Sequence, residues 1–261
     1  RLKYPWKEGF LYNENITRYL KSISFDDYLK FVEKIFSFFA KRGANYLKSA
    51  CCYKRTLLFK ERSEKEARKA FEKLKDEYVG SERKTEEFEE TIRIFEDFIF
   101  FRCLEIARSY GWNTVQIHTG HKNKDEETAR PSLLEEVIGK HPDINFILLH
   151  GGKYYYTDVI HLCRKYDNVI ADFTWIPILA PSLAKKMVKE FLTEFPYRTV
   201  AGLDMANIEG CAGMAEINRR LISEVLSELI EEGKIKNINQ AIKIGENVIN
   251  KKPKQLFPKS F

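Results

Sequence analysis

The chain has 261 residues and a formal net charge of +6, with 44% hydrophobic and 31% charged residues. This balance is that of a globular protein with a sizeable core, and it excludes a disordered or fibrous chain. Most lysines alternate with glutamates, as in residues 60–77, which is typical of a solvated helix surface and argues against nucleic-acid binding.

The N-terminal third has the pattern of helices around one short strand. Helices are predicted at residues 24–43, 63–78 and 85–111, and the strand at 45–53. Ser24 is the predicted cap of the first helix and Gly43 its stop. We assign the whole chain, residues 1–261, to a single domain with a helical insertion at about residues 60–90.

From residue 114 onward, a strand followed by a helix recurs along the chain. The strands are predicted at residues 114–120, 145–152, 168–175 and 198–205. They are near-continuous apolar runs, as expected for parallel strands buried on both faces. The repeat predicts an α/β fold with a parallel sheet, either a (β/α)8 TIM barrel or an open doubly wound sheet. No G-x-G-x-x-G follows a strand, which lowers the nucleotide-binding option.

Each predicted strand ends in a polar residue: His118, His150, Asp172 or Asp204. Histidine and carboxylate side chains that converge at one sheet edge are typical metal ligands, so His118, His150 and Asp204 predict a metal centre. For His118 the alternative is a core histidine bonded to a carbonyl, and for Asp204 a cap on the next turn. For Asp172 we favour a structural hydrogen-bonding role over a catalytic one.

Four further residues are candidates for substrate binding. Lys48 lies in an apolar strand, where its amine needs a substrate carboxylate, carbamylation, or a route out to solvent. Tyr53 and Arg55 follow at the end of the same strand, and arginine suits a carboxylate through paired hydrogen bonds. His121 lies in the loop after His118, where we expect it to touch substrate.

The cysteine pattern and the apolar runs bear on the cellular setting. The five cysteines are odd in number and form no C-x-x-C pair, which favours a reducing, cytoplasmic location. We expect no secretory leader in residues 1–10 and no membrane span, because the most apolar stretch, 95–107, carries charges at helical spacing. The chain begins with Arg1 and not with methionine, so we leave open whether residues that precede Arg1 carry function.

The segments LKSACCYKRTL, VQIHTGHKN, FILLHGGKYYYTDVIHLCRKYDNVIADFTW and VAGLDM resemble, in order and spacing, strands four to eight of the amidohydrolase superfamily. The branch most similar contains aminocarboxymuconate-semialdehyde decarboxylase and the nodulin/FluG-type hydrolase domain. The resemblance covers nearly the whole chain and implies a (β/α)8 barrel with a divalent metal, with zinc favoured. It implies that His118 is a metal ligand, that His150 binds metal or polarises the substrate, and that Asp204 is a ligand and proton acceptor. Lys48 falls where some members carry a bridging carbamylated lysine.

One departure from the family pattern is the lack of an H-x-H motif. We therefore expect the first strands of the barrel to be absent from this chain. The resemblance implies a metal-dependent hydrolase acting on a small carboxylate- or amide-bearing molecule through a metal-activated water. A decarboxylase, a uronate-type isomerase and a non-catalytic binding or regulatory barrel are the alternatives. A homodimer is left open, because a partial barrel exposes strand edges.

Overall fold

The computed structural model describes residues 23–77, 85–120 and 126–258. By their contacts these residues divide into two compact units, one formed by the residues up to Asn45 with Phe59–Asn113, the other by Tyr46–Leu58 with the residues from Thr114 onward. The single-domain assignment stays a prediction. Among the described residues, no helix is both long and apolar enough to cross a membrane.

The first unit contains the three helices predicted for it. They are α1 (Phe25–Ala40), α2 (Glu64–Glu77) and α3 (Glu86–Ser109). The Ser24 hydroxyl accepts a hydrogen bond from the backbone N–H of Asp27 at 3.1 Å, which confirms the predicted cap of α1.

Aromatic side chains hold the three helices together. The rings of Phe25 and Phe71 have centroids 5.6 Å apart, and those of Phe71 and Phe95 lie 5.5 Å apart. Each of these rings is at most 1% exposed. Aromatic pairs at these distances add about 1 kcal/mol to the burial of their area, so the charged surface of α2 covers a packed apolar side.

The described part of the second unit contains one sheet of parallel strands. The strands are β1 (Leu47–Ser49), β2 (Thr114–His118), β3 (Asn145–Leu149), β4 (Val169–Asp172) and β5 (Thr199–Val200). Each strand pairs with the next one along the chain, in the order β1-β2-β3-β4-β5. A doubly wound sheet reverses its strand order at a switch point, whereas this order advances in one direction as in a barrel. The predicted (β/α) barrel class is therefore confirmed, as a partial barrel.

Helices connect these strands and follow the last one. They are α4 (Glu135–Lys140), α5 (Tyr156–Lys165), α6 (Ile176–Leu179), α7 (Pro181–Glu194), α8 (Ile208–Glu231), α9 (Ile238–Glu246) and α10 (Lys252–Leu256), with a π-helical turn at Asn247–Lys251. Helix α8 begins at Ile208, because the Asn207 side chain caps it by accepting the N–H of Gly210 at 2.7 Å.

The barrel core lies on the inward side of the strands. Its buried members come from alternate strand positions and from α10, and they are Ile147, Leu149, Ile170, Val200 and Leu256. Burial of each such side chain stabilises the fold by about 2 kcal/mol. The hydroxyl of Thr114 donates to the carbonyl of Leu256 at 3.2 Å. Because Thr114 begins β2, α10 lies at the amino ends of the strands, at the edge opposite their carboxyl ends.

Candidate active site

Two histidines meet at the carboxyl ends of neighbouring strands. His118 is the last residue of β2 and pairs in register with Leu149 of β3, so the next residue, His150, lies beside it. Nε2 of His150 lies 2.9 Å from Nδ1 of His118. The two residues are 6% and 3% exposed. The structure thus brings together two of the three residues proposed as metal ligands.

The hydrogen-bond partners of the pair define where its protons lie. Nδ1 of His150 faces the carbonyl oxygen of Thr174 at 3.0 Å, and a carbonyl only accepts, so this nitrogen carries a proton. Nε2 of a neutral His150 is then an acceptor, and Nδ1 of His118 donates to it. The hydroxyl oxygen of Tyr53 lies 3.0 Å from the same His118 nitrogen.

Asp172, the last residue of β4, accepts hydrogen bonds from His150 and from Thr174. Its Oδ1 accepts the backbone N–H of His150 at 3.1 Å and that of Thr174 at 2.9 Å. Its Oδ2 accepts the Thr174 hydroxyl at 2.7 Å. Burial raises the pKa of this carboxyl, while the hydrogen bonds from Thr174 and His150 act in the opposite direction. These contacts fit the structural role favoured for Asp172.

Lys48 and Asp204 form a second pair. Nζ of Lys48 lies 3.7 Å from Oδ1 of Asp204, and their side chains are 30% and 36% exposed. The indole N–H of Trp175 donates to the carbonyl oxygen of Asp204 at 2.7 Å. The Asp204 carboxylate therefore has a cationic partner on β1, and its backbone is held from the segment after β4.

Backbone strain collects around this edge of the sheet. In the described residues, positive φ outside glycine occurs at His150, Lys153, Trp175 and Asp204. All four follow the carboxyl ends of β3, β4 or β5. Such conformations cost about 1–3 kcal/mol each and persist where the surroundings impose them, often at functional sites.

The other two predicted substrate-binding residues are Arg55 and His121. Arg55 is 7% exposed, and its guanidinium donates to the carbonyls of Thr56 at 3.0 Å and Leu58 at 3.2 Å. It therefore stabilises its own loop. His121 lies outside the described residues. Their roles toward substrate stay predictions.

The donor set fits part of a metal site. The described stretches of the chain contain no group of three His, Cys, Asp or Glu side chains able to hold a metal ion. His150 has the support usual for a metal-binding histidine, since its Nδ1 proton is bonded to a carbonyl, and Nε2, which faces His118 here, is the nitrogen whose lone pair would bind a metal. Because zinc sites use at least three protein ligands, His118 and His150 supply two nitrogens and do not complete a site by themselves. The assignment of Asp204 as a ligand stays a prediction.

Thr174 and Trp175 were missed by the sequence reasoning. For Thr174 a signal existed, because an aspartate two residues before a threonine favours a turn in which the carboxylate accepts the N–H two positions on. Nothing in the pattern of residues marks Trp175, whose backbone adopts φ 70°.

The sequence model of the amidohydrolase family matches residues 64–222. This range contains β2, β3, β4 and β5, together with the two histidines and Asp204. No curated protein matches the chain significantly by sequence.

Solved structures share the fold at low sequence identity. A presumed metal-dependent hydrolase from Lactobacillus casei ATCC 334 has a TM-score of 0.76 at 16% identity, over 94% of this chain and 63% of that one. The uronate isomerase of Thermotoga maritima has a TM-score of 0.73 at 17% identity, over 95% of this chain and 59% of that one. The glucuronate isomerase of Caulobacter crescentus has a TM-score of 0.72 at 16% identity, with coverage of 94% and 54%. The chain thus spans under two thirds of the length of each structure, and the likeness shows the fold.

Proposed function

The chain belongs to the amidohydrolase family, and on this premise we propose that it acts as a metal-dependent hydrolase, with zinc as the first candidate metal. The observation that carries the proposal is the contact between His118 and His150 at the ends of adjacent parallel strands. Two buried imidazoles that face each other, one with its tautomer fixed by a carbonyl, are donors of the kind that borderline-soft divalent metals prefer.

The substrate we propose is a small molecule with a carboxylate or amide group. Lys48 supplies a partly exposed cation at this edge of the sheet, beside Asp204. A partly exposed lysine can exchange its pairing with Asp204 for a substrate carboxylate at little cost, because exposed ion pairs contribute about 0–1 kcal/mol. The hydroxyl of Tyr53, which contacts His118, gives a second polar group for orienting substrate.

The proposed chemistry is hydrolysis by an activated water. His118 and His150, with Asp204 as the third proposed ligand, would hold a divalent metal, which would supply a water whose pKa is lowered toward 7. Asp204 accepts the proton that the water loses on attack, as a carboxylate general base. His150, held by Asp172 and the Thr174 carbonyl, stays fixed as a ligand, and the positive charge of the metal would stabilise the charge that develops on the substrate oxygen.

Metal analysis of the purified protein tests the proposal. We expect stoichiometric divalent metal in the wild type, and its loss in His118→Ala and His150→Ala. His161→Ala is the matched control, because His161 lies on α5 with a 62% exposed side chain. In parallel, hydrolysis of a panel of N-acyl amino acids and cyclic amides is measured with and without a chelator. Unchanged metal in His118→Ala, or hydrolysis that a chelator leaves intact, contradicts the proposal.

An isomerase of sugar acids is the second candidate function. It is favoured by the TM-scores of 0.73 and 0.72 to two structures named as uronate or glucuronate isomerases. Incubation with glucuronate and galacturonate, followed by NMR of the sugar carbons, separates aldose–ketose conversion from hydrolysis. A decarboxylase on the same centre is distinguished by release of carbon dioxide. A protein that binds no metal and converts none of these substrates is instead a non-catalytic barrel.

A further inference from the structure

His150 stands at the start of a left-handed turn. Its φ is 66°, and the next three residues also have positive φ: 54° at Gly151, 72° at Gly152 and 50° at Lys153. For residues other than glycine this conformation costs about 1–2 kcal/mol. The direction of the His150 side chain therefore depends on contacts that hold the turn from outside.

Asp172 supplies two of those contacts. Its Oδ1 accepts the N–H of His150, the residue that opens the turn. The turn also packs on the Asp172 backbone, since a Cβ added to Gly151 would lie 2.8 Å from the Asp172 carbonyl oxygen. At 2% exposure, Asp172 is shielded from water that could replace these bonds.

Asp172 also holds the group that fixes the His150 ring. Both the N–H and the hydroxyl of Thr174 donate to its carboxylate, at 2.9 Å and 2.7 Å. The Thr174 carbonyl in turn accepts the Nδ1 proton of His150. The Asp172 carboxylate thus binds the backbone N–H of His150 directly. It also orients the His150 imidazole indirectly, by holding the Thr174 carbonyl that accepts from the ring.

We propose that Asp172 is a positioning residue that sets the tautomer and orientation of His150. Without its carboxylate, the His150 N–H loses its acceptor and the Thr174 carbonyl is no longer aimed at Nδ1. The His150 ring can then carry its proton on Nε2. This nitrogen, which faces His118, would change from a hydrogen-bond acceptor into a donor. The inference deepens the proposed function, but the tautomer can be measured without metal or substrate.

Nitrogen-15 NMR of the histidine rings, recorded at one fixed pH without added metal, tests the proposal. The His150 signals are assigned by their loss in His150→Asn. We expect the Nδ1–H tautomer to dominate in the wild type and in Asp172→Asn, because the asparagine oxygen can still accept both backbone N–H groups. In Asp172→Ala we expect this tautomer to become the minor form.

Asp158→Ala is the matched control. Asp158 is also a buried carboxylate of the same unit, but its hydrogen bonds go to Ser132 and Arg130 and not to His150. Its variant should lose stability without a change in the His150 tautomer. A wild type with its proton on Nε2 overturns the proposal, as does an unchanged tautomer in a folded Asp172→Ala. If Asp172→Ala does not fold, the same criterion applies to Asp172→Ser, whose hydroxyl is too short to reach both N–H groups.

Zinc affinity, measured by calorimetry, is the second readout. Loss of a group that orients a metal-binding histidine typically weakens metal affinity 10–100-fold. We expect that loss in Asp172→Ala, near-wild-type affinity in Asp172→Asn and no change in Asp158→Ala. If the wild-type protein binds neither zinc nor another divalent metal, the proposed hydrolase function fails, while the tautomer result still decides the role of Asp172.

Discussion

The hydroxyl oxygen of Tyr53 lies 3.0 Å from Nδ1 of His118, and the two rings meet nearly edge to face with centroids 5.3 Å apart. The same nitrogen faces Nε2 of His150 at 2.9 Å. Tyr53 follows β1, His118 ends β2 and His150 follows β3. A single imidazole nitrogen therefore links the ends of three neighbouring strands.

Replacement of Tyr53 by phenylalanine tests this link. We expect Tyr53→Phe to fold and to lose about 1 kcal/mol of unfolding free energy, the usual contribution of one hydrogen bond. We also expect weaker zinc binding, because His118 loses one of the groups that orient it. Urea unfolding and calorimetry measure the two effects.

Tyr155→Phe is the control for this substitution. Its hydroxyl donates to Glu127 at 2.8 Å in an exposed setting, so we expect a stability change below about 0.5 kcal/mol and unchanged zinc affinity. Equal effects in the two variants would show that the Tyr53 hydroxyl has no special relation to the histidine pair.

Much of the fold could be predicted from the sequence because its signals are local. A short apolar run that ends in a polar residue, as at His118 and at Asp172, marks a buried parallel strand and the edge where it stops. The cap at Ser24 depends on its own side chain and the next turn, and it was also predictable. The choice between a barrel and an open sheet depends on the order of the strands in the sheet. That order is known only from the strand pairing in the structure and could not be predicted from the sequence.

The contacts of the site were less predictable, because they depend on loop backbones. His150, Trp175 and Asp204 adopt positive φ without being glycine, and no propensity rule anticipates this. The pairing of Asp204 with Lys48 joins strands at opposite ends of the described sheet, β1 and β5. Such a contact follows from the curvature of the barrel and not from spacing along the chain.

The close approach of two loops predicts that Gly120 is intolerant of substitution. Gly120 has φ +67°, and an added Cβ would lie 2.0 Å from the carbonyl oxygen of Gly152, next to His150. A methyl group there forces the turn after β3 away from β2. We expect Gly120→Ala to cost more than about 3 kcal/mol, above the strain of a left-handed alanine alone.

Gly111→Ala separates the cost of backbone strain from the cost of the clash. Gly111 has a similar φ of +71°, but a Cβ there meets nothing within 4 Å. We expect it to cost about 1 kcal/mol, the backbone strain without the clash. Urea unfolding of both variants measures the difference, and similar losses would mean that the loop adapts to the methyl group.

Lys48 is expected to matter for substrate and little for stability. Its pairing with Asp204 spans 3.7 Å with both side chains partly exposed, so Lys48→Met should change the unfolding free energy by less than about 1 kcal/mol. KM for a carboxylate substrate should rise at least tenfold, since one charged hydrogen bond contributes about 1.5–3 kcal/mol. Steady-state kinetics on a substrate from the panel provides the measurement.

Two comparisons make this result specific. Lys30→Met removes an exposed lysine that lies 3.6 Å from Asp27, and it should leave KM unchanged. For a substrate analogue whose carboxylate is replaced by a neutral amide, the KM of wild type and of Lys48→Met should be the same. An equal rise in KM for the neutral analogue would exclude pairing with the substrate carboxylate.

The carboxylate of Asp158 predicts a pH-dependent contribution to stability. Burial by itself would raise its pKa, but the hydrogen bonds and charge of Arg130 and the hydrogen bonds of Ser132 outweigh burial and lower the pKa below its ordinary value of 3.8. A carboxyl with a lowered folded-state pKa contributes stability above its unfolded-state pKa and loses it as the pH falls through the folded-state value. Asp158→Asn should therefore be destabilised by about 2 kcal/mol at neutral pH.

The difference between wild type and Asp158→Asn should narrow below pH 3.8 and close once Asp158 is protonated in the folded protein. Thermal unfolding at a series of pH values from neutral to strongly acidic follows this difference. Asp167→Asn is the control, because Asp167 is fully exposed and lies 3.8 Å from the guanidinium of Arg198. Its effect should be small at every pH. A difference for Asp158→Asn that stays constant through the acid range would mean that Arg130 and Ser132 hold the asparagine as well as the carboxylate, so charge is not what stabilises this contact.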